Sequence, residues 1–187
     1  MKKIIKLIFI LSLFILICFF FIIFRNYTII KKITLNENNI LNQSNQNLYV
    51  KINYNFFNDS TISTKEFYFS NNKILITDKF INSENNIITY YYEDKLNNEI
   101  INPWNKEFNP TEDLKQQISF NTDIWSIIKK LNFQIINKDN NFYIINYNNE
   151  YLYYDINTYT LIKRELPSCT ITFEYNNNLT ENDLKKP

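Results

Sequence analysis

From Leu7 to Phe24 the chain reads LIFILSLFILICFFFIIF, about 18 residues without a charge, or about 21 counted from Ile4 with Lys6 the one charge among them. A run of this length can satisfy its backbone hydrogen bonds in an apolar medium by forming a helix. At 1.5 Å per residue, that helix crosses a hydrocarbon core of ~30 Å. Leu7, Phe14, Phe20 and Phe24 mark the part expected to sit in lipid. A cleavable export signal has a shorter apolar core and small residues at the cut, and no Ala-x-Ala-like site comes after it here. Residues 1–25 therefore read as an uncleaved signal anchor, a single-pass transmembrane helix. Cys18 invites a lipoprotein reading, but Ile17 stands where a bacterial lipobox usually has a small residue. Lys2, Lys3 and Lys6 before the helix nearly balance Arg25, Lys31 and Lys32 after it, so the short leader decides orientation. The expectation is a cell-membrane protein with residues 26–187 outside the cytoplasm.

The chain beyond the anchor must fold without glycine. It has Gly 0 and His 0, no Ala, a single Val, and an abundance of Asn, Ile, Lys, Phe and Tyr, whose codons are A/T-rich. Codon bias accounts for that profile. Asn is then the turn residue, because it tolerates the left-handed region and bonds its own backbone two residues on. Several function classes fall away. A formal charge of +1 with acids and bases mixed leaves no basic patch for nucleic acid. Without histidine there is no Ser-His-Asp or Cys-His arrangement and no imidazole metal site, and without glycine no phosphate-cradling loop. The pairs Glu93-Asp94 and Glu112-Asp113 are adjacent, which suits solvation or a helix start better than acid–base work. No catalytic residue, metal or cofactor is expected. Cys169 cannot reach Cys18 in a bilayer, so no intramolecular disulfide is expected and Cys169 reads as a small side chain in a strand. Glycosylation sequons at Asn26, Asn42, Asn58 and Asn178 are matches that so Asn-rich a chain produces by chance.

Residues 26–47 read as a short juxtamembrane helix (YTIIKKITL) and a linker (NENNILNQSNQN), and residues 48–187 as one β-rich domain with a modest core. Leu48, Val50, Ile52, Tyr54 and Phe56 alternate with Lys51, Asn53 and Asn55, the period of a half-buried strand. Runs at Ile62–Ser70, Lys73–Ile81, Ile87–Asp94 and Lys95–Ile101, parted by polar turns, extend it into an antiparallel meander. INPWNKEFNP, with Pro103 and Pro110, interrupts the strands. A helical insertion at about 111–131 comes next, with Thr111 as a candidate cap and a second helix from Asn121 or Thr122. There Ile124, Trp125, Ile127, Ile128 and Leu131 form an apolar face that must cover something.

The stretch NFYIINYNNEYLYYDINTYTLIKREL supplies a surface for it. With two-residue turns at Asn148-Asn149 and Asn157-Thr158, Ile145 lies opposite Leu152, Tyr143 opposite Tyr154, and Tyr154 opposite Leu161. One face carries Tyr143, Ile145, Tyr147, Leu152, Tyr154 and Leu161; the other carries Phe142, Ile144, Tyr151, Tyr153 and Ile162, with Arg164 toward its margin. Both are apolar, where a sheet with one wet side should alternate. The covers open to them are the chain's own helices, another protein or an apolar ligand. Otherwise, codon bias has set rings at the surface with their hydroxyls in water.

An export segment, a short helix, an antiparallel meander, a central helical insertion and further strands make an order similar to that of the LolA/LolB-like lipoprotein-binding domains. YYDINTYTLIKRE (Tyr153 to Glu165) resembles their strand, Asp-containing turn and strand ending in a basic and an acidic residue. FEYNNNLTENDLKKP looks like the closing strand and tail of small anchored or lipoprotein homologues in Firmicutes. The resemblance implies an α+β, mainly antiparallel fold: a strongly curved, open half-barrel meander, lidded by helices, that holds acyl chains. On that reading the lining residues are Trp125, Ile128, Tyr143, Ile145, Leu152, Tyr154 and Leu161. The expected function is a membrane-anchored extracytoplasmic module, not an enzyme, that binds a lipid or lipoprotein acyl chains in a sheet/helix cavity. The alternative is a structural or protein-interaction module of the cell envelope.

Overall fold

The amino-terminal apolar run does form a helix, but the helix does not end where the run ends. In the computed structural model, which describes residues 2–43, 47–57, 61–82, 84–104, 107–120, 122–131 and 136–178, α1 (Lys2–Gln43) is one continuous helix of 42 residues. At 1.5 Å per residue it is about 63 Å long. Every side chain from Ile4 to Phe21 is exposed, and the segment is long and apolar enough to cross a membrane, as an anchor or a signal sequence would be. Beyond it Ile29, Ile30, Ile33 and Ile40 recur on one face and are buried in the core. The short helix expected after the anchor, and the expected linker as far as Gln43, are thus the second half of the same rod, while residues 44–46 lie outside the described ones. Asn residues disfavour a helix by up to roughly 0.7 kcal/mol each, whereas each buried Ile contributes about 1.5–3 kcal/mol. The buried stripe wins.

The strands are β1 (Leu48–Phe56), β2 (Ile62–Phe69), β3 (Lys73–Ile81), β4 (Asn86–Asp94), β5 (Glu99–Ile101), β6 (Asn137–Lys138), β7 (Phe142–Tyr147), β8 (Glu150–Asp155), β9 (Leu161–Glu165) and β10 (Cys169–Asn176). They form one antiparallel sheet in the order β5-β4-β3-β2-β1-β10-β9-β8-β7-β6, which is not closed. The chain lays down one meander outward from β1, crosses through the helical insertion, and returns by a second meander. β10 then zips onto β1 from Tyr49 opposite Asn176 to Phe56 opposite Cys169. Both edges are very short strands, which limits open backbone that could pair with another chain.

Turn chemistry explains the boundaries. Asn148 and Asn149 take positive φ, 53° and 64°, the two-residue hairpin turn expected, and Ile145 pairs with Leu152 and Tyr143 with Tyr154. The next turn differs. Asp155 accepts from the backbone N–H groups of Asn157 and Thr158 at 2.8 Å and its own N–H bonds Thr160 O at 2.9 Å, so four residues, not two, form the loop. Tyr154 still lies opposite Leu161, with a bulge at Tyr153/Tyr154. The run Lys95–Ile101 is a strand only over Glu99–Ile101. Asp94 Oδ1 captures the N–H groups of Leu96 and Asn97 at 3.0 and 3.2 Å, bending the first four residues into a turn.

Asn109 rather than Thr111 caps α2 (Pro110–Ile118), taking the N–H groups of Thr111 and Glu112, with Pro110 in the first turn where its missing N–H costs nothing. Asp123 caps α3 (Ile124–Lys130) and Lys129 and Lys130 close it. Asn121, one of the two starts expected for that helix, lies outside the described residues, as do Asn58 and the tail beyond Asn178. Three contacts hold α2 on the sheet. Lys65 Nζ lies 2.6 Å from Asp113, the Tyr54 hydroxyl donates to Gln117 Oε1 at 3.1 Å, and Arg164 Nη1 reaches Gln117 O at 3.3 Å. The second half of α1 with α2 and α3 therefore covers one sheet face, and the main core lies between. The other face carries a small cluster of Leu75 and Tyr92 with Tyr68, Tyr90 and Ile101.

Candidate functional site

The two apolar faces of β7–β9 have different fates. Ile145, Tyr147, Leu152, Tyr154 and Leu161 are buried by the chain's own helices, with Tyr143 at the margin. Phe142, Ile144, Tyr153 and Ile162 are half-buried and Tyr151 is exposed. Their polar tips are provided for. The Tyr153 hydroxyl donates to Glu165 at 2.6 Å while Lys163 Nζ stands 3.9 Å from its ring centre.

The structure does not collect the seven residues expected to line one cavity. Ile145 is fully buried in the core and Ile128 nearly so. Trp125 points outward, 63 % exposed, with its ring 5.2 Å from that of Tyr27 on α1. The helix turns Ile127 inward instead, and with Leu131 it fills the seam beside α1. Leu152, Tyr154 and Leu161 line a cleft of about 200 Å³ with Phe120 and Tyr147, smaller than the ~300–1,000 Å³ usual for small-molecule sites. Its rim is polar: Arg164, expected at the margin of the opposite face, instead lies opposite Leu152 on the cleft side, and its Nη2 and Nε lie 2.5 and 3.1 Å from Glu150 Oε2.

Tyr143 lines a different pocket, of about 450 Å³, at the root of α1, where Phe21, Phe24, Arg25, Ile29, Lys32, Lys138 and Tyr159 also meet. Tyr159 adopts φ 58°, a conformation that costs a bulky residue roughly 1–3 kcal/mol. Its surroundings hold it there: its ring stacks on Tyr143 at 5.7 Å, and Lys32 donates to its hydroxyl at 3.1 Å. The Arg25 guanidinium bonds Ile136 O at 3.0 Å, and Asn26 Oδ1 accepts from Ile136 N–H at 3.3 Å, fixing α1 beside the β6 edge.

Two features went unnoticed in the sequence. Glu37, 5 % exposed, is buried between α1 and the sheet and accepts from the Tyr154 hydroxyl at 3.3 Å. Burial pushes its carboxyl up to about 8, against weaker opposing hydrogen bonds from Tyr154 and the Phe120 backbone. Burial likewise raises Tyr154 and Tyr175, whose buried hydroxyl has no hydrogen-bond partner among the described residues. Glu37 lines neither of the two pockets above, so it meets no substrate there. The second feature is an apolar end on β1–β4, where Phe56, Phe57, Ile62, Phe80, Ile81, Ile87 and Ile88 are each 38–59 % exposed. Ile62 pairs with Ile81 and Phe80 with Ile87. The signal was the doublets Phe80-Ile81 and Ile87-Ile88, since in a strand a doublet puts one apolar side chain on each face, and Phe56-Phe57 where β1 runs into its turn.

Among the described residues, no group of three or more His, Cys, Asp and Glu side chains could hold a metal ion. Compared with known proteins, the chain matches no family model and no curated sequence. Fold and site define a class only: an α+β chain with an open ten-stranded antiparallel sheet and an apolar amino-terminal helix.

Proposed function

We propose that this chain is a membrane-anchored, non-catalytic module of the cell envelope, with its sheet outside the cytoplasm, which works by binding a protein partner through the apolar end of β1–β4. The observation that carries this reading is that end itself. Seven large apolar side chains at one end of β1–β4, shared between the two sheet faces, exceed the single exposed residues normal on a surface. The continuous α1 supports the anchor, because a helix bare over its first half and buried in the core over its second ties sheet to membrane without a flexible joint. A photo-crosslinking amino acid placed at Phe80 or Ile87 in cells is expected to trap discrete adducts, and one placed at the exposed Asn146 on the far half of the sheet none. Equal trapping at all three positions contradicts the reading.

A second reading is favoured by the LolA-like order of elements and by the apolar pocket at the root of α1. Here the chain binds lipid or lipoprotein acyl chains, the sheet curls into an open half-barrel, and the helices act as its lid. Ten strands is the size at which open sheets tend to curl. A stoichiometric acyl adduct extracted from the detergent-free chain, and still held when Lys32 and Lys138 are both changed to Gln, would favour it over the first.

A further inference from the structure

Where α1 leaves its bare apolar stretch, the pocket at its root combines two chemistries. Phe21 and Phe24 continue the apolar surface of the helix into its floor, while Arg25, Lys32 and Lys138 place three cations around it. None of its lining residues is acidic, and none of the three cations is ion-paired to a carboxylate among the described residues. Phe24, Arg25 and Lys32 lie three, four and eleven positions after Phe21, on one helical face. Lys138 comes from the β6 edge strand and Tyr159 from the β8–β9 loop, so the whole fold must assemble before the three charges meet.

We propose that this pocket binds the headgroup of an anionic phospholipid from the membrane that α1 crosses. A lipid fits the combination because its first acyl carbons lie against Phe21 and Phe24 while its phosphate meets Arg25 and the lysines, and aromatic rings such as Tyr143 and Tyr159 favour the same interfacial depth. The Tyr159 hydroxyl positions Lys32 at 3.1 Å, and the same ring lies 5.0 Å from the ammonium, leaving its remaining hydrogens free to donate. That hydrogen bond raises the Lys32 pKa from its ordinary value, favouring the charged ammonium. The site rests on the anchor reading above and adds to it a lipid preference. Bound lipid would also clamp α1 to the β6 edge, fixing the sheet's tilt over the bilayer.

The test reconstitutes the full chain in nanodiscs of equal phosphatidylglycerol and phosphatidylcholine and counts lipids retained in native mass spectrometry. Phosphatidylglycerol is expected to be retained preferentially. Each interfacial cation is worth about fivefold in affinity, so Lys32→Gln with Lys138→Gln is expected to lower the preference by about an order of magnitude or more. Lys32→Arg with Lys138→Arg is expected to keep it. Both lysines are exposed, and unchanged far-UV spectra check that the fold is intact. Equal retention of the two lipids, a preference the glutamine pair leaves unchanged, or displacement by soluble glycerol phosphate each overturns the site. A chain that never enters the disc overturns the anchor as well, so the two failures are told apart.

Discussion

Asn148 and Asn149 show what single residues decide in a chain with no glycine. Both sit at positive φ, as does Asn98 at 52°, so Asn does in three turn positions what Gly does elsewhere. Asn149→Ala is expected to cost about 1–2 kcal/mol and Asn149→Gly close to nothing, read as denaturant midpoints of the detergent-solubilised chain. Equal midpoints for Ala and Asn would contradict the turn. This site was legible in the sequence because an Asn pair between apolar runs has few other uses. Glu37 was not, since a carboxylate in an Asn-rich stretch reads as solvated until a sheet closes over it. Its consequence is a pH dependence of known sign. The folded carboxyl titrates at about 8 against an ordinary 4.5, so between those values the folded state holds a proton that the unfolded state has released. Stability is therefore expected to fall as pH rises from about 4.5 to 8, by on the order of a few kcal/mol. Glu37→Gln should flatten that slope and raise the melting temperature at pH 8.5. An unchanged slope would show that Glu37 ionises freely in the fold.

Among elements, the strands were readable and the long helix was not. Alternation in Leu48–Phe56 and the Asn turns located β1 to β4 and the β7–β8 hairpin because period-2 patterning and turn chemistry are local. Lys95–Ile101 misled because only its last three residues extend as a strand, while the feature that bends the first four is the Asp94 side chain just before them. The second half of α1 was obscured by Asn propensity, although Ile29, Ile33 and Ile40 already formed a helical stripe. Trp125 shows a limit of periodicity: it shares α3 with buried Ile127 and Ile128, and the stripe was wide enough to include it, yet the helix rotates it outward. Ile33→Ala, at a fully buried position, is expected to cost about 2–5 kcal/mol. Leu35→Ala, on the exposed side of the same helix, should fall within about 0.5 kcal/mol of wild type. Similar losses for the two would mean that α1 is not docked by this face.

For the whole molecule, the sequence spoke to class and not to assembly. An α+β chain with an antiparallel meander and an apolar amino-terminal helix is what local pattern implies. The pairing of β1 with β10, which turns two meanders into one sheet, joins residues more than a hundred positions apart and leaves no local trace. The same is true of both pockets, whose walls come from α1, the insertion and the returning meander. Five of the seven candidate lining residues share the expected strand face, and the helices leave them in the core, in the cleft and at the root of α1.

On the proposed reading one helix both enters the membrane and forms part of the sheet's core, so the sheet is held at the membrane as a single body with its anchor. Hydrogen–deuterium exchange of the full chain in nanodiscs tests this directly on peptides covering residues 22–43. Protection continuous from the apolar span through Ile33 to Ile40, at the level of the central strands β1 and β10, is the expected result. Rapid exchange across residues 26–36, between a protected span and a protected sheet, would make that stretch a flexible linker and contradict a rigid anchor.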